Sequence, residues 1–198
     1  MLGAEQRDWL VSGLVDSSAQ WKVIGSQLMF WPWRTVPRLP GQPLGSGTFL
    51  NMTQWDGYSA ERATIMSALA AGDVRNTIVL SGDSHVFSAA QVAPDVDDPR
   101  SLPRVIEFGT GSITSNNADE SDFPTDDVTG PLLRAVNPNH LRWFESERHG
   151  YVLVELTPER AVAEFRSPRT IRQPTSGVDV LRRLQVRSGV QRLEPVTA

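Results

Sequence analysis

In the run TIVLSGDSHVFSAA, Thr77 to Ala90, an apolar segment stops at Gly82 and is followed by an acid, Asp83, and an imidazole, His85, two residues apart. His85 is one of three histidines in the chain. Asp83 offers hard carboxylate oxygens and His85 an imidazole nitrogen, so one loop could present both to a metal ion or a phosphate. Gly82 is expected to let the backbone turn sharply there. The tetrapeptide also suits a plainer role, in which Asp83 caps the next segment and His85 is a hydrogen-bonded polar residue.

Four other groups carry chemistry-bearing residues. In NMTQWDGYSAER, Asp56 and Gly57 make a turn before a helix, and the rings of Trp55 and Tyr58 can line a pocket or staple the helix entry. WPWR places Trp31, Trp33 and Arg34 in a proline-rich loop, where they can wall a site and offer a guanidinium to an anion, or cover the core. NNADESDFPTDD gathers acids without the ordered spacing of an EF-hand loop and reads as a solvated acidic loop. His140, Arg142, Arg148 and His149 lie on strand-like segments whose spacing defines no metal site.

The elements that must position these residues follow from periodicity. Residues 4–17 repeat Leu10 with Leu14 and Val11 with Val15, the spacing of an amphipathic helix. WKVIGSQ reads as a buried strand, with Val23 and Ile24 deep beside Ile78 to Leu80. Leu28 to Asn51, with Pro32, Pro37, Pro40 and Pro43, reads as a long aromatic loop without regular elements. A second helix is expected over SAERATIMSALAAG, with Ser59 as cap, Glu61 and Arg62 outward, Met66 and Leu69 inward and Gly72 as the stop. NTIVLSGD and RVIEFGTG read as buried strands, and residues 127–136 as a short helix. HLRWFES, YVLVEL and RAVAEF read as strands, the last two joined as a hairpin by TPER, with another hairpin turning at Ser188 and Gly189. Helices and strands in this order predict an α/β layered core with an antiparallel flank, and reactive groups in such sheets collect where strands end in loops.

Composition narrows the function classes. A length of 198 residues with 39% hydrophobic residues suits one globular domain, and a net charge of −4 gives no general attraction for nucleic acid. The absence of cysteine excludes thiolate ligands, so any metal must be held by oxygen or imidazole nitrogen. No apolar run reaches the roughly 20 residues of a membrane span, and Met1 to Leu10 lacks a signal-peptide pattern.

Taken in order, LGAEQRDWLVSGLVDSSAQWKVIGSQLMF, QWDGYSAER, VLSGDSHVFSA, EFGTGSITS and HGYVLVELTPE resemble the PhoD-like alkaline phosphatase and phosphodiesterase family, over about Leu2 to Leu193. The resemblance implies a fold akin to the calcineurin-like metallophosphoesterases: a layered mixed-sheet α/β sandwich, here its C-terminal half, with antiparallel terminal hairpins. Residues 1–198 would be the C-terminal part of such a domain, with 168–198 its terminal strands or tail. It implies iron and calcium as cofactors, a phosphomonoester or phosphodiester substrate, and an extracytoplasmic location, periplasmic or secreted. Carried over residue by residue, Asp83 is a metal ligand, His85 a ligand or a catalytic substrate contact, and Trp55, Asp56 and Gln27 line the substrate site. Ser26 stands where relatives favour an amide, leaving Gln27 as the polar group there, and Thr53 stands where an acid is frequent. Most metal ligands of the family are expected upstream of this chain, which would leave it inactive alone. The alternative is a binding or structural module that keeps the fold without the catalysis.

Overall fold

The structure is a computed structural model that describes residues 1–43, 45–121 and 126–196. Helix α1 (Ala4–Asp16) forms over the expected segment and buries Leu14. It leads into strand β1 (Lys22–Gly25). The loop after β1 is not free of regular structure: β2 (Arg34–Val36) and β3 (Thr48–Phe49) form a two-stranded antiparallel pair. Pro37, Pro40 and Pro43 fall between these strands, where they remove no ladder hydrogen bond.

Helix α2 (Ser59–Ala71) is entered through a 3₁₀ turn over Trp55–Tyr58. The chain is already turning when it reaches Ser59, so Ser59 lies inside the helix with φ −57° and ψ −33° and does not cap it. Met66 and Leu69 are buried as expected, but Arg62 is buried with them rather than outward. Positions 62, 65, 66 and 69 follow the i, i+3, i+4, i+7 rule for one helix face, and the geometry overrides the charge.

Five strands make the first sheet, in the order β1, β4, β6, β5, β7. They comprise β4 (Thr77–Ser81), β5 (Phe87–Val92), β6 (Val105–Gly109) and, after α3 (Asp126–Val136), β7 (Leu141–Glu145). β1, β4 and β6 are parallel, while β5 runs antiparallel to β6 and β7. The expected register holds, with Val23 opposite Ile78 and Ile24 opposite Val79. The expected depth does not: β1 is the edge strand, Val23 is 46% exposed and Ile24 only partly buried. Part of the acidic loop, residues 122–125, lies outside the described residues.

β8 (Tyr151–Leu156), β9 (Arg160–Pro168), β10 (Val178–Arg187) and β11 (Leu193–Pro195) form an antiparallel sheet in the order β11, β10, β9, β8. Alternation along the strands gives the first sheet two apolar faces. On one, Ile78, Phe87, Ile106 and Phe108 pack against Ala163, Phe165 and Leu184 of the second sheet. Phe165 sits at the centre, with the rings of Phe87, Phe108 and Trp143 at 6.0, 6.1 and 4.5 Å. On the other, Val79, Ala90 and Val105 belong to a core with Phe30, Trp31, Ile65 and Leu69. The result is a layered α/β sandwich: helices and the aromatic loop, a mixed sheet, then antiparallel hairpins.

Candidate active site

Asp83 and His85 lie just beyond the C-terminal end of β4, in a segment strained by its backbone. The Ser84 N–H donates to the Gly82 carbonyl at 2.8 Å, closing a three-residue turn around Asp83, whose φ is +68°. Positive φ at the centre of such a turn is the rarer, strained form. His85 follows at φ +55°. Two non-glycine residues in the left-handed region cost about 1–3 kcal/mol each, and such strain clusters at ligand sites. The expected hinge is corrected on this point: Gly82 has no left-handed φ, and a Cβ there would meet only ordinary contacts, with Thr110 at 3.7 Å and the Gln27 carbonyl at 3.9 Å.

Near this turn lies the buried start of the aromatic loop, residues 29–33, which precedes the β2–β3 pair. A buried backbone must still find partners for its N–H and C=O groups, and here side chains supply them. Glu107, on the loop-facing side of β6, accepts the N–H groups of Phe30 at 2.7 Å and Trp31 at 2.6 Å, and the Ser81 hydroxyl at 2.6 Å. The His140 ring donates from Nε2 to the Pro32 carbonyl at 2.8 Å. Asp56 accepts the Trp33 N–H at 3.0 Å. Asn137 accepts the Arg34 N–H at 3.2 Å and donates to the Arg34 carbonyl at 2.9 Å. The Arg34 side chain is paired with Asp97, so it offers no free guanidinium to an anion. Trp31 and Trp33 stack at 5.4 Å. Burial pushes the Glu107 carboxyl up to about 7 and the His140 imidazole down to about 4.

The sequence-derived site residues do not all share one cavity. Asp83 and Asp56 line a cavity of about 250 Å³ together with Gln54 and Asn51. His85 lines an adjoining one of about 180 Å³, and the two share Trp33, Leu50 and Ser84. Gln27 and Trp55 line a third, of about 700 Å³, between α1 and β1. The Asp56 carboxylate is already occupied: Oδ2 takes the Trp33 N–H, and Oδ1 takes Arg62 at 2.9 Å. Burial raises its carboxyl from the ordinary value against the opposing pull of Arg62.

Two partners that the sequence did not single out touch the acid and the imidazole. Gln54 donates from Nε2 to Asp83 Oδ2 at 2.6 Å, and the Asn116 carbonyl lies 2.7 Å from His85 Nδ1. A carbonyl only accepts, so His85 carries its proton on Nδ1, and in the neutral ring Nε2 keeps a lone pair. Asp83 Oδ1 accepts no hydrogen bond from the described residues. A carboxylate oxygen and an imidazole nitrogen fit part of the shell of a hard or borderline cation. Among the described residues no cluster of three or more acids and histidines stands ready to complete it. ¹⁵N NMR of the three imidazoles at pH 8 should show His85 as the Nδ1–H tautomer and His140 as the Nε2–H tautomer. An Nε2–H signal for His85 would remove the Asn116 contact.

Comparison with known proteins bears on this arrangement. The profile of the PhoD-like phosphatase family matches residues 1–165. Alkaline phosphatase D of Bacillus subtilis (strain 168) is 29% identical over 179 residues, which are 90% of this chain and 28% of that protein. A solved structure of PhoD superposes with a TM-score of 0.84 at 26% identity, covering 99% of this chain and 35% of that one. The chain thus spans about a third or less of the length of these relatives. The match over residues 1–165, most of the chain, shows that this chain belongs to the PhoD-like phosphatase family.

Proposed function

We propose that this chain supplies part of the metal site of a phosphoesterase acting on phosphomonoesters or phosphodiesters. The observation that carries the reading is the strained turn after β4, which presents the Asp83 carboxylate with one oxygen free and holds His85 in a single tautomer. Asp83 is the ligand. His85 is a second ligand or the residue that meets the substrate. Asp56 lines the same cavity as Asp83, and Trp55 and Gln27 line a separate one between α1 and β1. Iron and calcium are the cations the family suggests, and such ions polarise phosphoryl oxygens and activate water. An extracytoplasmic location accords with the family, and among the described residues no helix is long and apolar enough to cross a membrane.

Two donors make a weak site. Titration of the chain with Mn²⁺, followed by water-proton relaxation, should give a dissociation constant on the order of 10⁻⁴–10⁻³ M, because affinity follows ligand number and charge. Asp83→Ala should abolish that binding while leaving the circular dichroism unchanged, since Asp83 is exposed and belongs to neither apolar core. Hydrolysis of bis(p-nitrophenyl) phosphate by the chain alone should stay near background. Mn²⁺ binding that survives Asp83→Ala would sink the reading and favour a binding module that keeps only the fold.

A further inference from the structure

We propose that Gln54 is a positioning residue for Asp83: its side-chain amide holds Oδ2, so that Oδ1 alone faces a cation. This rests on the metal-site reading above and adds to it the way in which the carboxylate is presented.

The two residues are 29 apart in sequence, and the Gln54 Nε2 to Asp83 Oδ2 distance is 2.6 Å. A hydrogen bond from an amide to an ionised carboxylate is among the shorter and stronger kinds. Gln54 is 7% exposed and Asp83 is exposed, so the amide is the fixed member and the carboxylate the one held. Its own backbone explains the fixity. Gln54 precedes the Trp55–Tyr58 turn, and its carbonyl accepts the Gly57 N–H at 3.0 Å. Next to it, the buried Trp55 ring packs edge-on against Phe30 at 5.0 Å. The turn can close this tightly only because residue 57 is glycine, for a Cβ there would lie 1.8 Å from the Met52 carbonyl oxygen.

A carboxylate with both oxygens free can chelate a cation through the pair. With one lone pair of Oδ2 committed to Gln54, chelation through both oxygens is disfavoured and Oδ1 is the oxygen left without a partner among the described residues. Smaller cations of strict octahedral geometry take such a ligand readily, whereas Ca²⁺ also accepts bidentate carboxylates. Gln54 therefore biases the site towards one-oxygen coordination as well as fixing where that oxygen points. Partners that hydrogen-bond a metal ligand generally matter at about 10–100-fold in affinity.

The test is cation-minus-apo infrared difference spectroscopy of the chain with Ca²⁺ and with Mn²⁺. The Asp83 carboxylate band is assigned by its loss in Asp83→Asn. The wild type should show the wide symmetric-to-antisymmetric splitting of a one-oxygen ligand. Gln54→Leu should narrow it with Ca²⁺ to the two-oxygen pattern and weaken Mn²⁺ binding by about 10–100-fold. A band unchanged in Gln54→Leu overturns the role of Gln54 and leaves the metal site standing. The lack of any Asp83-dependent band in the wild type brings down the metal site, and this inference with it. A readout that leaves Gln54 intact guards against misfolding of the variant: in metal-free chain, Asp83→Asn should shift one Gln54 side-chain amide proton upfield and speed its exchange. No change there also overturns the proposal.

Discussion

Arg62→Ala is expected to destabilise the chain by about 3–5 kcal/mol, the usual loss when one partner of a buried ion pair is removed. For a chain of this size the thermal midpoint falls roughly 2–4 °C per kcal/mol, so the shift should be about 6–20 °C. The size of the effect comes from what is left behind. Arg62 Nη1 donates to Asp56 Oδ1 at 2.9 Å and to the Phe30 carbonyl at 3.1 Å, and all three groups are buried. Removing the guanidinium strands a carboxylate and a carbonyl away from water. Asp56 cannot swing out to solvent, because its other oxygen holds the Trp33 N–H. Replacing both charges tests this account: Asp56→Asn with Arg62→Met keeps an acceptor for Trp33 and leaves no lone buried ion. The double variant should recover most of the loss, with a coupling at the upper end of the 0.5–3 kcal/mol range seen for contacting residues. A loss below about 1 kcal/mol in Arg62→Ala, the size of an exposed pair, would show that the pair carries no such load.

The same arginine marks where sequence reasoning reached its limit. The helix face at positions 62, 65, 66 and 69 was legible in the spacing, yet charge placed Arg62 outward, because its partner Asp56 comes from the preceding turn. Asp83 and His85 were legible because an apolar strand stops at Gly82 and the chemistry follows at once. What holds them was not: Gln54 and Asn116 are 29 and 31 residues away from them, and no local pattern links an amide or a carbonyl to a distant side chain. Glu107 carries a signal in the sequence, a lone acid inside the apolar run VIEFG, which a buried strand tolerates only if the acid is hydrogen-bonded. Strand β5 carries no such signal. Its sequence, FSAAQV, is buried on both faces, so it shows neither alternation nor bulk. The depth of β1 is not legible in sequence because VI looks alike in a central and an edge strand, and only strand order separates the two.

The buried acid and the buried imidazole beneath the aromatic loop should give the chain two opposed pH dependences that hide each other. Glu107 moves from an ordinary 4.5 to about 7 on folding, so its contribution to stability is fully present below pH 4.5 and is lost as pH rises through 7. His140 moves from 6.5 to about 4, so its contribution is present above pH 6.5 and is lost as pH falls through 4. Each amounts to about 3 kcal/mol over its window. Between pH 4.5 and 6.5 the folded chain holds one proton more at Glu107 and one fewer at His140, and the two slopes cancel. Single variants should unmask them. The destabilisation caused by Glu107→Gln should be largest below pH 4.5 and shrink by about 3 kcal/mol towards pH 7.5, as the wild type loses its protonated acid. Below that slope lies a constant loss of about 1–3 kcal/mol, because an amide can accept only one of the Phe30 and Trp31 N–H groups. The destabilisation caused by His140→Gln should instead grow by about 3 kcal/mol from pH 4 to pH 6.5. Urea unfolding followed by tryptophan fluorescence between pH 4 and 8 measures both. Taking differences from the wild type removes the shared contributions of the surface ion pairs. Curves for wild type and Glu107→Gln that run parallel across this range would mean that Glu107 stays ionised in the core, held by its two N–H donors, the Ser81 hydroxyl and the nearby charge of Arg62.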